Sequence, residues 1–171
     1  MKFEENEEQL REAAGQLLQV LKNKNLKIAF AESMTGGLLS GSLTRIPGTS
    51  SVLTGAVVSY DIESKIRLLS VDKQLLCETG AESAEVAIAM AEGLPALFPH
   101  AGLLVAITGS ASAPVNDYRI SSPPGTVFLA YGRVGKGLIS RKWNLTGNRD
   151  EVLRQAVWLS MNCIREFAGT L

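Results

Sequence analysis

Leu10, Ala14, Leu17, Leu18 and Leu21 recur at helical spacing near the start of the chain, with glutamates early in the stretch and Lys22 and Lys24 late. That charge order complements the helix macrodipole at both ends, so the pattern predicts a helix over residues 4–23. A short apolar run at 26–30 leads into a Ser/Thr/Gly cluster, after which Leu38, Leu39 and Leu43 resume a helical period. This reads as strand, tight turn and helix. Pro47-Gly48 marks 46–51 as loop, and the Val-rich stretch 55–60 reads as a second strand. Asp61 is placed to cap a short helix carrying Ile62, Lys65, Ile66 and Leu69.

Residues 71–80 form a polar segment, and Ser83 is a good N-cap for a helix that puts Val86, Ala87, Met90, Ala91, Leu94 and Leu97 on one face before Pro99. Residues 102–108 are apolar without alternation, as expected of a strand covered on both faces and central in its sheet. A long proline- and serine-rich loop follows at 109–124, and loops of that length inside compact domains are commonly functional. Stretches 126–131 and 138–143, joined through Gly132, Gly135 and Gly137, predict an antiparallel hairpin. Asn148, three residues before Glu151, opens a last helix with Val152, Ala156, Val157, Ile164 and Phe167 on its apolar face. Strands alternating with helices, plus a late hairpin, predict one α/β domain over 1–171: a three-layer α/β/α sandwich on a mixed sheet.

Composition narrows the function. The 171 residues are 46% hydrophobic and 20% charged, with 17 basic and 17 acidic side chains and no basic run, so the footprint of a general nucleic-acid binder is missing. No apolar run approaches the ~20 residues of a membrane span and the N-terminus is glutamate-rich, so the expected place is the cytoplasm, without a membrane partner. Cys77 and Cys163 lie far apart within helical patterns and read as buried small hydrophobes. With one histidine and no cluster at metal-ligand spacing, metal- and His-assisted hydrolysis have little support, and neither a metal nor a cofactor is expected. A hydroxyl with a lysine as base remains.

Two places carry such groups. Ala31-Glu32-Ser33-Met34-Thr35-Gly36-Gly37 places a Thr-Gly-Gly turn ahead of a helix, where backbone N–H groups suit a phosphate or carboxylate and Ser33 and Thr35 add hydroxyls. Equally, Ser33 or Thr35 merely caps the helix and the glycines close the turn. Ser50 is an exposed-loop hydroxyl, and Tyr60 and Lys65 follow; taken singly, a loop serine is ordinary turn chemistry and a helix lysine a solvated charge. Asn116, Asp117, Tyr118 and Arg119 lie in the long loop, either within reach of a ligand or simply at the surface.

Together, and in this order, these segments resemble the C-terminal domain family of the competence-damage-inducible protein CinA, which also occurs as a free-standing nicotinamide-nucleotide amidase. The resemblance covers nearly the whole chain and is carried by residues 31–37, Pro47-Gly48-Thr49-Ser50, Val58-Ser59-Tyr60 with Lys65, Gly125-Thr126-Val127 and Gly147-Asn148-Arg149. It implies an α/β/α fold and metal-free hydrolysis of nicotinamide mononucleotide to nicotinate mononucleotide and ammonia. It also implies Ser50, Tyr60 and Lys65 as catalytic residues, with Ser50 the nucleophile, Lys65 its base and Tyr60 orienting the proton. Glu32, Ser33, Thr35, Gly36, Gly37, Thr108, Gly109 and Arg149 are implied to bind the substrate, the 35–37 turn holding its phosphate. A small-molecule pyridine nucleotide and a second copy in a homo-oligomer, most simply a dimer, are the partners expected.

The chain departs from the family pattern where that has a glycine-rich loop, carrying Thr108-Gly109-Ser110-Ala111-Ser112-Ala113-Pro114-Val115-Asn116-Asp117 instead. Ser122 replaces a basic residue, and Asn148 an aspartate. An amidase is therefore one expectation. The alternative is a catalytically impaired paralogue that binds a nucleotide or a protein partner through an altered 109–124 loop, and a third reading is a dimerisation module.

Overall fold

Alternation along the strands sets the layers. In the computed structural model, which describes residues 3–113 and 121–171 (side chains from residue 7), β1 (Ile28–Glu32) turns Ile28 and Phe30 to one side and Ala29 and Ala31 to the other. β3 (Leu103–Gly109) and β4 (Thr126–Arg133) divide in the same way: Val105, Ile107 and Leu129 face with Phe30, whereas Leu104, Ala106 and Phe128 face with Ala31. A sheet apolar on both faces needs a covering layer on each. On the first, α1 (Phe3–Asn23), α2 (Leu38–Thr44) and α6 (Arg149–Gly169) bury Leu17, Leu21, Leu39, Leu43, Ala156 and Ile164. On the second, α3 (Ile62–Leu69), α4 (Lys73–Thr79) and α5 (Ala84–Leu97) bury Leu69, Leu76, Val86, Met90 and Leu94. The expected three-layer α/β/α sandwich results.

The five strands of the described residues, with β2 (Leu53–Val58) and β5 (Leu138–Asn144), run in the order β2-β1-β3-β4-β5. β1 pairs in parallel with β2 and β3, and β4 is antiparallel to both its neighbours, so the sheet is mixed and β3 is central as expected. Three caps form as the sequence indicates: Asp61 accepts from the Ser64 N–H at 2.7 Å, Ser83 from the Val86 N–H at 3.2 Å, and Asn148 and Glu151 close a reciprocal capping box. No helix of the described residues is long and apolar enough to cross a membrane.

Several expectations are corrected. β1 runs two residues beyond the apolar stretch, to Glu32, because the ladder continues: the Ser33 N–H donates to Ile107 and the Ser59 N–H to Glu32. β2 starts and ends two residues early, with Leu53 opposite Ile28, which leaves Tyr60 outside the strand. The polar segment at 71–80 contains α4, capped by Asp72 through the Gln74 N–H at 2.6 Å; with only Leu76 buried, it lacks a readable apolar stripe. Leu38, read as part of the inner face of α2, is exposed, and Ser40 is buried in its place. Cys77 stands on the outer face of α4 and is exposed, while Cys163 is half-buried and donates to the Tyr131 hydroxyl at 3.1 Å.

Topology then gathers the chemistry at one edge. The C-terminal ends of the parallel strands β1, β2 and β3 lie together, the antiparallel β4 begins there, and α6 starts a few residues after β5 ends there. The helix after β1 covers one face and those after β2 the other, so the loops part above β1, the position where open α/β sheets bind ligands.

Candidate active site

Glu32 shares the strand face of Ile28 and Phe30, the face that α2 covers, and is fully buried. Its carboxylate accepts from the Thr35 hydroxyl at 2.6 Å and from the N–H groups of Gly37 (3.0 Å), Leu39 (3.0 Å) and Ser40 (2.7 Å). The Gly36 and Leu38 N–H groups donate to the Ser33 and Thr35 carbonyls. The Gly36 and Gly37 N–H groups and the Thr35 hydroxyl are therefore committed within the protein: the anion at the start of α2 is its own carboxylate. Glu32, Thr35, Gly36 and Gly37 are thereby accounted for as the frame of the turn.

One residue on, alternation sends Ser33 to the opposite face, beneath α3. Lys65, one turn before Leu69 on the inward side of α3, is 1% exposed, and its Nζ donates to Ser33 Oγ at 2.9 Å, to the Ser59 carbonyl at 2.7 Å and to the Tyr60 carbonyl at 3.4 Å. Burial pushes the ammonium down to about 8, against the pull of the Glu82 and Asp61 carboxylates. A neutral amine has two N–H bonds and one lone pair. With the two carbonyls taking the N–H bonds, the lone pair is left for the Ser33 hydroxyl. Among the described residues, the N–H groups of Met34 and Thr35 meet no acceptor, and the buried Ser59 hydroxyl has no partner.

Ser50 lies elsewhere. It precedes β2 in a one-turn 3-10 helix (Thr49–Ser51), whereas Tyr60 and Lys65 follow β2, and the six residues of that strand alone span about 20 Å at roughly 3.3 Å per residue. It borders a shallow cavity of about 450 Å³ lined by Thr44, Ile46, Pro47, Gly48, Thr49 and Leu53, none of them titratable. Ser50 and Lys65 therefore occupy opposite ends of the sheet and cannot act as a pair.

Tyr60 is 58% exposed at the mouth of the crevice, where its hydroxyl accepts from Arg149 Nη2 at 2.8 Å. Arg149, the first residue of α6, also donates from Nη1 to the Ser112 hydroxyl at 3.1 Å, so one guanidinium ties the segments that follow β2 and β3 to the start of α6 at the rim. Tyr60 approaches Lys65 through its backbone carbonyl, while its ring points to Arg149. Thr108 Oγ1 donates to the Ala81 carbonyl at 2.9 Å and is buried, a structural bond. Gly109, at φ +152°, leaves no room for a side chain, since a Cβ would overlap the Thr126 carbonyl and press on Met34 Sδ. Asn116, Asp117, Tyr118 and Arg119 lie outside the described residues. Sequence patterns missed Glu82, Ser112 and Ser121 here: Glu82 is hidden beside the Ser83 cap, and the serines look like turn residues.

Known proteins resemble this chain in sequence and fold. A CinA-like protein of Fervidobacterium nodosum is 35% identical over 147 residues, and one of Geobacter metallireducens is 37% identical over 146. These matches cover 86% and 85% of this chain but 35% and 34% of the relatives, so the chain spans about a third of the length of the relatives it matches. A CinA superfamily protein from Klebsiella pneumoniae 700603 superposes with a TM-score of 0.87 at 26% identity, covering 95% of this chain and 99% of that one. A competence/damage-inducible protein from Agrobacterium tumefaciens gives 0.84 at 27%, covering 95% and 96%. The CinA C-terminal domain pattern matches residues 10–168, and with a fold and relatives that agree over the same span, the chain belongs to the CinA C-terminal domain family.

Proposed function

We propose that this protein is a metal-independent amidohydrolase that releases ammonia from the carboxamide of a pyridine nucleotide, nicotinamide mononucleotide in the first instance, with Ser33 as nucleophile and Lys65 as its base. The observation that carries the reading is the 2.9 Å contact between Ser33 Oγ and the buried Lys65 Nζ. An exposed lysine is protonated at neutral pH and useless as a base, whereas a buried one is poised to exchange protons near working pH. Ser33 Oγ attacks the amide carbon as its proton passes to neutral Lys65; the protonated lysine returns that proton to the departing nitrogen, and ammonia leaves an acyl-Ser33 ester. Water, deprotonated by the same amine, then attacks the ester and restores both groups. The Met34 and Thr35 N–H groups are the donors for the oxyanion formed in each step.

With the 35–37 turn occupied by Glu32, the charge offered to the nucleotide phosphate at the rim by the described residues is Arg149, steadied by Tyr60 and Ser112. A cytoplasmic setting and a dimeric assembly belong to the same proposal.

The test is ammonia release from nicotinamide mononucleotide by the wild type, Ser33→Ala and Ser50→Ala. Ser33→Ala is expected to lower kcat/KM by about 10³-fold or more, and Ser50→Ala by less than about threefold. Activity that survives in Ser33→Ala removes Ser33 from the reaction. A wild type that binds the nucleotide, seen as a raised melting temperature, yet releases no ammonia favours the impaired paralogue.

A further inference from the structure

Glu82 lies between α4 and α5 and is 9% exposed. Four hydrogen bonds join it to a segment 39 residues further along the chain. The Ser121 N–H donates to Glu82 Oε2 at 2.8 Å, the Ser121 hydroxyl donates to the same oxygen, the Ser122 hydroxyl donates to the Glu82 carbonyl at 2.7 Å, and the Glu82 N–H donates to Ser121 Oγ at 3.1 Å. Two residues earlier, Gly80 makes room for the clamp, because a Cβ there would overlap Ser121. The neighbouring Ala81 carbonyl is held by Thr108 at the end of β3, next to β1 and Ser33. Two of these bonds hold the carboxylate through Oε2 and two hold its backbone, so the buried side chain is fixed; and since Thr108 follows Ile107, which accepts from the Ser33 N–H, the clamp sits beside the Ser33–Lys65 contact, where its charge is felt at Lys65.

The other charges around Lys65 are committed or in solvent. Asp61, which caps α3, is fully exposed; Glu32 on β1 spends both carboxylate oxygens on the start of α2; Glu85 and Glu92 on α5 are exposed; Arg149 on α6 sits on the Tyr60 hydroxyl. Glu82 is the buried acid of this set whose charge is not absorbed by a helix end.

We propose that Glu82 is a positioning residue for Lys65: the serine clamp fixes its carboxylate as the buried counter-charge that sets how readily the amine takes a proton. The assignment rests on Ser33 and Lys65 being the reacting pair. Its chemical consequence is a compromise between charge and burial. Burial frees the lone pair that attack on the amide needs, and the Glu82 charge keeps the protonated form accessible for donation to the leaving nitrogen.

Lys65 can be titrated directly in the full chain through the 13C resonance of its Cε, identified by its loss in Lys65→Arg. In Glu82→Gln, which keeps an oxygen to accept from Ser121, the proton affinity of Lys65 is expected to fall by at least about threefold, and by more than in Asp61→Asn. The acidic limb of the ammonia-release profile is expected to move to lower pH in step. A midpoint in Glu82→Gln equal to that of the wild type, or displaced no further than in Asp61→Asn, overturns the assignment. Should Glu82→Gln fail to fold, Ser121→Ala takes its place: with the hydroxyl no longer sharing the carboxylate's charge, the midpoint is expected to rise, and an unchanged one overturns the assignment. The resonance needs no substrate, so this failure is distinct from an absence of amidase activity.

Discussion

Glu32→Ala is expected to destabilise the protein by about 4 kcal/mol, because it removes a buried acceptor from three backbone N–H groups and one hydroxyl at once. The loss is larger than for an ordinary helix cap, worth about 1 kcal/mol, since water cannot easily reach the Leu39 and Ser40 N–H groups in exchange. Glu32→Gln is expected to cost about 2 kcal/mol, as its carboxamide oxygen still accepts while its NH2 faces further donors. Urea unfolding of the three proteins measures both, the midpoint falling with an unchanged slope. A loss below about 1 kcal/mol in Glu32→Ala is the result that contradicts this account of the turn.

Lys65→Met is expected to do the opposite to stability while abolishing ammonia release. The folded-state value near 8 lies below the ordinary 10.5, so below pH 8 the wild type carries the full penalty of a charged amine in a buried site, about 3 kcal/mol by linkage. Methionine removes that penalty but leaves the Ser59 and Tyr60 carbonyls without their donor, so the net gain at pH 7 is expected to be about 1–2 kcal/mol. The sign fixes the pH dependence. Between about 8 and 10.5 the unfolded chain binds the proton that the folded one has released, so wild-type stability rises with pH across that window and the advantage of Lys65→Met shrinks. Denaturant melts of both proteins at pH 7, 9 and 10.5 measure the difference; a constant gap across the window contradicts a depressed Lys65.

Sequence periodicity was enough for the layers and most helix starts, because each depends on residues close together in the chain: Asp61, Ser83 and Asn148 all cap as their neighbours indicate. It could not supply the order of the strands, and the meeting of Ser33 with Lys65 follows from that order. Once β1 and β2 are known to be adjacent and parallel, Ser33, just after β1, must approach the helix that follows β2, and Ser50, just before β2, must lie at the far end. The likeness to the family pattern named Lys65 and Tyr60, which lie at the edge where Ser33 meets Lys65, together with Ser50, which lies at the other end of β2. Glu32 illustrates a second limit: a carboxylate ahead of a Thr-Gly-Gly turn looks like part of an open anion site until its side-chain direction shows that it fills the site itself.

The Ser33–Lys65 contact lies within residues 28–69, a single strand-helix-strand-helix unit, whereas Ser112 and Arg149, which join Tyr60 at the rim, belong to the later part of the chain. The proposed bond-breaking pair and the rim cation Arg149 are thus written in separate stretches of sequence. Under the proposed function, exchanging the later stretch would give a different clientele to an unaltered bond-breaking unit.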